Sequence, residues 1–108
     1  MTLETYQKEA AKTARYPEAY RLLYPTLGLV GEAGELANKV KKVLRDQEGE
    51  LTEETREALL AELGDVLWYV AQVATDLGVS LEAVAEANLR KLRSRLERGV
   101  ISGSGDNR

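Results

Sequence analysis

Two stretches decide the reading of this chain: Gly28-Leu29-Val30-Gly31-Glu32-Ala33-Gly34-Glu35-Leu36 and, beyond an interval that ends at Ala61, Glu62-Leu63-Gly64-Asp65-Val66-Leu67-Trp68-Tyr69. Each carries two acids three residues apart, and residues at that spacing are neighbours on one helix face, about 5–6 Å apart at Cβ. The point halfway between the pairs falls at Glu48-Gly49, a predicted turn, so an antiparallel hairpin brings both pairs to the same height. At 100° per residue both pairs lie at the edge of an apolar stripe and not on the far solvent face. Four carboxylates converging in a groove repel one another unless a cation neutralises them, and oxygen-only ligands suit Mg²⁺, with Mn²⁺ as a substitute. Either pair alone is ordinary surface charge in a Glu-rich helix. It is the matched height of the two that points to a metal site.

Working outward, the apolar periodicity predicts four helices and no strand. The first covers Thr2 to Ala14, capped by Thr2 and ended before Tyr16-Pro17. The second runs from about Leu23 to Arg45, with Pro25 tolerated in its first turn. Its stripe is Leu29, Val30, Ala33, Leu36, Ala37, Val40, Val43 and Leu44. After a turn around Gly49, Thr52 caps a third helix whose stripe is Leu59, Leu63, Val66, Leu67, Val70, Ala74 and Leu77, with Gly78 as its stop. Ser80 caps a fourth, with Leu81, Val84, Ala85, Leu89, Leu92 and Leu96 on one face. The expected architecture is all-α: an antiparallel helical hairpin with flanking helices, a four-helix-bundle type of core completed by oligomerisation. One helical domain spans residues 1–99, and 100–108 form a polar tail.

Composition narrows the chemistry. With 108 residues a monomer buries only a modest core, which makes association plausible. A net charge of −3 with interspersed basic residues lacks the broad positive field of a nucleic-acid binder. Cysteine and histidine are both absent, which excludes disulfides, thiolate sites, the Glu-x-x-His ligands of di-iron bundles and His-based acid/base catalysis. No stretch has the apolar length of a membrane span or signal peptide, so a cytoplasmic protein without membrane or nucleic-acid partners is expected.

Gly28, Gly31 and Gly34 recur every three residues beside Glu32 and Glu35, and each costs a helix about 1 kcal/mol relative to Ala. Close approach of another helix or of a ligand would explain them. Together, the glycines and the paired acids resemble the MazG-like nucleotide pyrophosphohydrolases, whose mark is Glu-x-x-Glu, a spacer, then Glu-x-x-Asp. The resemblance extends from about Leu23 into the tail. It implies an all-α fold, homo-oligomers (a dimer or a dimer-of-dimers tetramer), Mg²⁺ dependence, and hydrolysis of (deoxy)nucleoside triphosphates to monophosphate and pyrophosphate by water attack at the α-phosphate. By similarity Glu32, Glu35, Glu62 and Asp65 ligate the metal, and Glu35 is the choice for orienting or deprotonating the water.

Asn88, Lys91 and Arg95 resemble an Asn-x-x-Lys-x-x-x-Arg stretch found late in such chains and are candidates for phosphate or ribose contacts. Lys39 is a further candidate, although pairing with Glu35 is the reading preferred for it. Tyr69 lies one turn beyond Asp65, where relatives stack an aromatic ring on the base. Trp68 points away from the apolar stripe, which suggests an oligomer interface. The Gly105-Asp106-Asn107-Arg108 terminus also resembles tails seen in this family, with two readings open for it: closure over the nucleotide, or disorder. Two alternatives stay open: an activity like that of phosphoribosyl-ATP pyrophosphohydrolase, and a non-catalytic helical oligomerisation module.

Overall fold

The computed structural model describes residues 1–103 and 105. Among these there are four α-helices, α1 (Leu3–Ala11), α2 (Leu23–Asp46), α3 (Glu53–Asp76) and α4 (Leu81–Glu97), with a 3₁₀ turn at Glu18–Tyr20 and no strand. Their starts follow from local chemistry. Thr2, Thr52 and Ser80 each accept a backbone N–H from three residues on, contributing about 1 kcal/mol apiece. At Thr52 the cap is reciprocal, because Thr55 Oγ1 accepts the Thr52 N–H at 2.9 Å. Pro25 sits buried in the first turn of α2, where its missing N–H costs nothing. Gly78, at φ +75°, supplies the left-handed residue that lets the chain leave α3 and enter α4.

The long pair α2 and α3 forms the antiparallel hairpin, and α1 lies across the C-terminal half of α3. Buried polar latches hold that crossing. Gln7 donates to Thr75 Oγ1 at 3.1 Å and to the Val79 carbonyl at 3.0 Å, and accepts the Leu81 N–H at 2.7 Å, so one α1 side chain ties α3, the turn after it and the start of α4. Leaving those buried groups unpartnered would cost about 1–3 kcal/mol each. Asp76, with a side chain only 6% exposed, accepts from Tyr16 Oη and from the Leu22 N–H, both at 2.8 Å. Leu22 stands at φ +66°, a conformation that a branched residue holds only under such constraint.

The interior is thin. Among the described residues Ala10, Pro25, Val43, Ala71, Ala74 and Leu81 are the buried apolar ones, whereas much of both long stripes stays open, Val30 being 69% and Leu44 65% exposed. On α4 the predicted apolar face is likewise uncovered at Val84, Leu89 and Leu96. The radius of gyration is 16.8 Å, against about 13 Å for a compact chain of this length. The accessible surface of 7810 Å² likewise exceeds the roughly 6,000 Å² of a compact monomer of 11.9 kDa.

Trp68 departs from expectation: its indole N–H donates to Thr13 Oγ1 at 2.8 Å. The ring is half-buried and tied to the turn that follows α1 in the same chain, a partner that the sequence pattern did not point to.

Candidate functional site

On one flank of the hairpin three of the four acids expected to converge come together, and Glu35, which points to the exposed edge of α2, stays outside the close group. Glu32 from α2 and Glu62 and Asp65 from α3 each place a carboxylate oxygen within 4.8 Å of the others. Glu62 is pressed in, with its side chain 17% exposed, and its Oε2 is buried without a hydrogen-bond partner. Its Oε1 lies 3.7 Å from Lys39 Nζ. Lys39 therefore pairs across the hairpin with Glu62 and not along α2 with Glu35, correcting the pairing expected for it. Glu35 is exposed and outside the close trio, yet near enough that its charge acts on Glu32. The Glu32 carboxyl is pushed up, first by hydrogen bonding to Glu62, then by burial, then by the charges of Glu62, Asp65 and Glu35.

This arrangement fits a hard cation. Carboxylates crowded to this degree raise one another's proton affinity unless positive charge arrives, and an unpartnered buried oxygen needs a partner that the protein does not supply. Lys39 supplies a single charge on one side only.

An aromatic wall adjoins the acids. Trp68 and Tyr69 meet edge to face with ring centroids 4.9 Å apart, and with Glu32 and Asp65 they line an open depression of about 340 Å³. Burial, then the neighbouring Tyr24, Glu32 and Asp65, pushes the Tyr69 phenol up. Gly28 is explained here, since any side chain at that position would be driven into the Tyr69 ring. Gly31 and Gly34 meet nothing within 4 Å, so close packing inside the chain accounts for only one of the three glycines.

Two tyrosines near the site were not anticipated. Tyr6 of α1 comes close enough to Asp65 for that charge, after burial, to push its phenol up. Tyr24 stacks on Tyr16 at 5.0 Å and 15° while lying close to Tyr69. Neither belongs to a motif, and only the crossing of α1 and the loop fastened by Asp76 bring them in.

The residues expected on α4 stand elsewhere. Asn88 and Lys91 are exposed and line a separate hollow with Val84 and Ala87. Arg95 is 4% exposed, and both it and Lys91 already have partners. Among the described residues of one chain these three are not brought to the carboxylates, because α4 packs mainly on α1 and α3 and not along α2. Asp106, Asn107 and Arg108 of the tail lie outside the described residues.

The chain is an all-α protein whose helical hairpin carries a carboxylate trio on one flank and an aromatic wall beside it. Residues 23–100 match the MazG nucleotide pyrophosphohydrolase domain, and the chain belongs to that family. It is 58% identical to the Gene 37 protein of Mycobacterium phage L5 over the full length of both. It is also 40% identical to YvdC of Bacillus subtilis (strain 168), an uncharacterized protein, across 64% of this chain and 70% of that one. No solved structure matches the chain. Among the described residues no helix is long and apolar enough to cross a membrane.

Proposed function

We propose that the chain hydrolyses (deoxy)nucleoside triphosphates to the monophosphate and pyrophosphate in the presence of Mg²⁺. The observation that carries this reading is the carboxylate trio, with oxygens within 4.8 Å and one Glu62 oxygen buried and unpartnered, in a chain of the MazG family. Glu32, Glu62 and Asp65 would hold the ion, with Glu35 completing the set from the exposed edge. When bound, Mg²⁺ offsets the charge of the triphosphate and polarises the phosphoryl group under attack.

The chain's own residues then have distinct tasks. Glu35 orients a water and takes its proton as the water oxygen bonds to the α-phosphorus. The bond from that phosphorus to the bridging oxygen breaks, and its electron pair leaves with pyrophosphate. Tyr69 offers its face to the base, held in place by Gly28 behind it and the Trp68 edge beside it. Lys39 steadies Glu62. Asn88, Lys91 and Arg95 contribute phosphate contacts only if a neighbouring copy carries them over.

A second copy is part of this reading. The roughly 1,800 Å² by which the chain exceeds a compact monomer's surface is more than the about 800 Å² that one partner contributes to a standard interface. Its exposed leucines and valines would supply the contact.

The test is pyrophosphate release from a panel of canonical and modified nucleoside triphosphates, with Mg²⁺ and with chelator. Metal-dependent release is expected, and Glu35→Gln should abolish it while the helical content is unchanged. Glu35→Gln activity within a few-fold of wild type would remove Glu35 from its role, and no release from any substrate would remove the reading itself.

A further inference from the structure

Glu62 joins the trio with its two oxygens in unlike surroundings. Oε1 has the Lys39 ammonium 3.7 Å away, whereas Oε2 is buried without a hydrogen-bond partner. No other ion pair among the described residues reaches Glu32, Glu62 or Asp65. With the Glu62 side chain 17% exposed and that of Lys39 40%, water screens this pair less than it screens a pair on the open surface.

An ammonium beside one oxygen changes what the carboxylate can offer a second cation. A divalent ion gripped by both oxygens at once would stand next to the ammonium, and like charges that close repel. One oxygen, the unpartnered one, is left for it. Ions differ in how much that matters. Ca²⁺ gathers roughly six to eight oxygens in a loose shell and accepts a carboxylate through both of its oxygens. Mg²⁺ demands a near-ideal octahedron, whose edge at its short bond lengths is about 2.9 Å, longer than the spacing between the two oxygens of one carboxylate. A single oxygen from Glu62 therefore costs Mg²⁺ nothing and costs Ca²⁺ a ligand.

We infer that Lys39 holds Glu62 to one ligating oxygen and so sets the preference of the carboxylate site for Mg²⁺ over Ca²⁺. Lys39 is then a positioning residue, acting through Glu62 and not on the nucleotide. The inference rests on the metal site of the function proposed above and adds to it the feature that selects the ion. It also gives a task to a pairing made across the hairpin, where the spacing along α2 pointed to Glu35.

The test is calorimetric titration of MgCl₂ and of CaCl₂ into the metal-free, full-length chain without nucleotide, read as the ratio of the two dissociation constants. Lys39→Met keeps an apolar stem of similar length and removes the charge, and circular dichroism checks that the helices are retained. Ca²⁺ binding should tighten by about tenfold and Mg²⁺ binding by no more than about threefold, which moves the ratio toward Ca²⁺. Lys39→Arg keeps the charge and should hold the ratio within about twofold of wild type. Equal tightening of both ions in Lys39→Met would reduce Lys39 to a nearby charge and overturn the inference. An unmoved ratio, or weaker binding of both ions, would overturn it too. Hydrolysis is a separate outcome. A Lys39-dependent ratio in a wild type that releases no pyrophosphate keeps the inference and removes the enzyme reading, whereas pyrophosphate release with an unmoved ratio does the reverse. A wild type that binds neither ion overturns the inference together with the metal site.

Discussion

The two flanks of the α2/α3 hairpin break opposite rules. On one, Glu32 and Glu62 are drawn half out of water beside Asp65, and a Glu62 oxygen is left without a partner. On the other, Leu60, Leu63 and Leu67 of α3 and Val30, Val40 and Leu44 of α2 stay in water, and the α3 residues shape an apolar hollow of about 460 Å³. Charge burial and apolar exposure each cost free energy in an isolated chain. On the reading proposed above, both costs would be removed from outside, by an ion and its substrate on the polar flank and by a second copy on the apolar one. One pair of helices would then serve two kinds of ligand, because its apolar stripe is wider than the strip that the single chain covers.

The largest expected effect is on the polar flank. Glu62→Gln should lower turnover on the order of 10³-fold. The stabilisation that Mg²⁺ gives wild type, about 2.7 kcal/mol at a hundredfold excess over its Kd, should largely vanish. In metal-free buffer the same variant should melt no lower than wild type, since one of the crowded charges is gone. A metal-free melting temperature that falls by several degrees would mean that Glu62 is structural, and the contrast between the flanks would collapse.

The apolar flank is tested next. Leu63→Asp places a charge where a partner is expected and should cost about 3 kcal/mol of assembly free energy, read as a shift to monomer in light scattering. The carboxylate trio faces the other way, so metal binding by whatever folded monomer remains should persist. A wild type that is already monomeric at micromolar concentration would show that the exposed leucines have no partner of the same kind.

The hairpin, its turn and the meeting of three of the four acids were legible in the sequence because helical periodicity and three-residue spacing act within one element, and the equal height followed from counting; that Glu35 would stay at the exposed edge was not. Less legible was whatever depends on how separate elements cross. Trp68 is covered by Thr13 because Gln7 and Asp76 fasten the ends of α1 and its loop, and those latches are single polar residues without a pattern. Lys39 lies about as far along α2 from Glu35 as the spacing says, yet the partner across the hairpin is Glu62. The width of the apolar stripe was visible, but not how little of it a single chain would cover.

The glycines sharpen the same contrast at a smaller scale. Gly28→Ala drives a methyl into the Tyr69 ring, and overpacking of that kind costs about 2 kcal/mol, more than the roughly 1 kcal/mol of helix propensity gained. Nucleotide binding should weaken with it, as the ring shifts from the wall of the depression. Gly31→Ala and Gly34→Ala enter open space and should stabilise the single chain by up to about 1 kcal/mol. Destabilisation at Gly34 in the assembled protein alone would place a second copy against that face.

The smallest effect belongs to the end of the hairpin, where the loop before α2 is tied down beside the site. Tyr16 donates to Asp76 at 2.8 Å, and its phenol is pushed up to about 12 by burial, then by the hydrogen bond and charge of Asp76. Because the folded state favours the neutral phenol, the stability it contributes is fully present below the ordinary tyrosine value of 10. It is lost as pH rises from there through about 12. Tyr16→Phe should therefore cost about 1 kcal/mol near neutrality, and its stability should fall less steeply than that of wild type above pH 10. Urea unfolding of both proteins across that range measures the difference. Parallel curves would mean that Asp76 holds the loop through the Leu22 N–H alone, and that the stack of Tyr16 on Tyr24 beside the Tyr69 wall needs no phenol to anchor it.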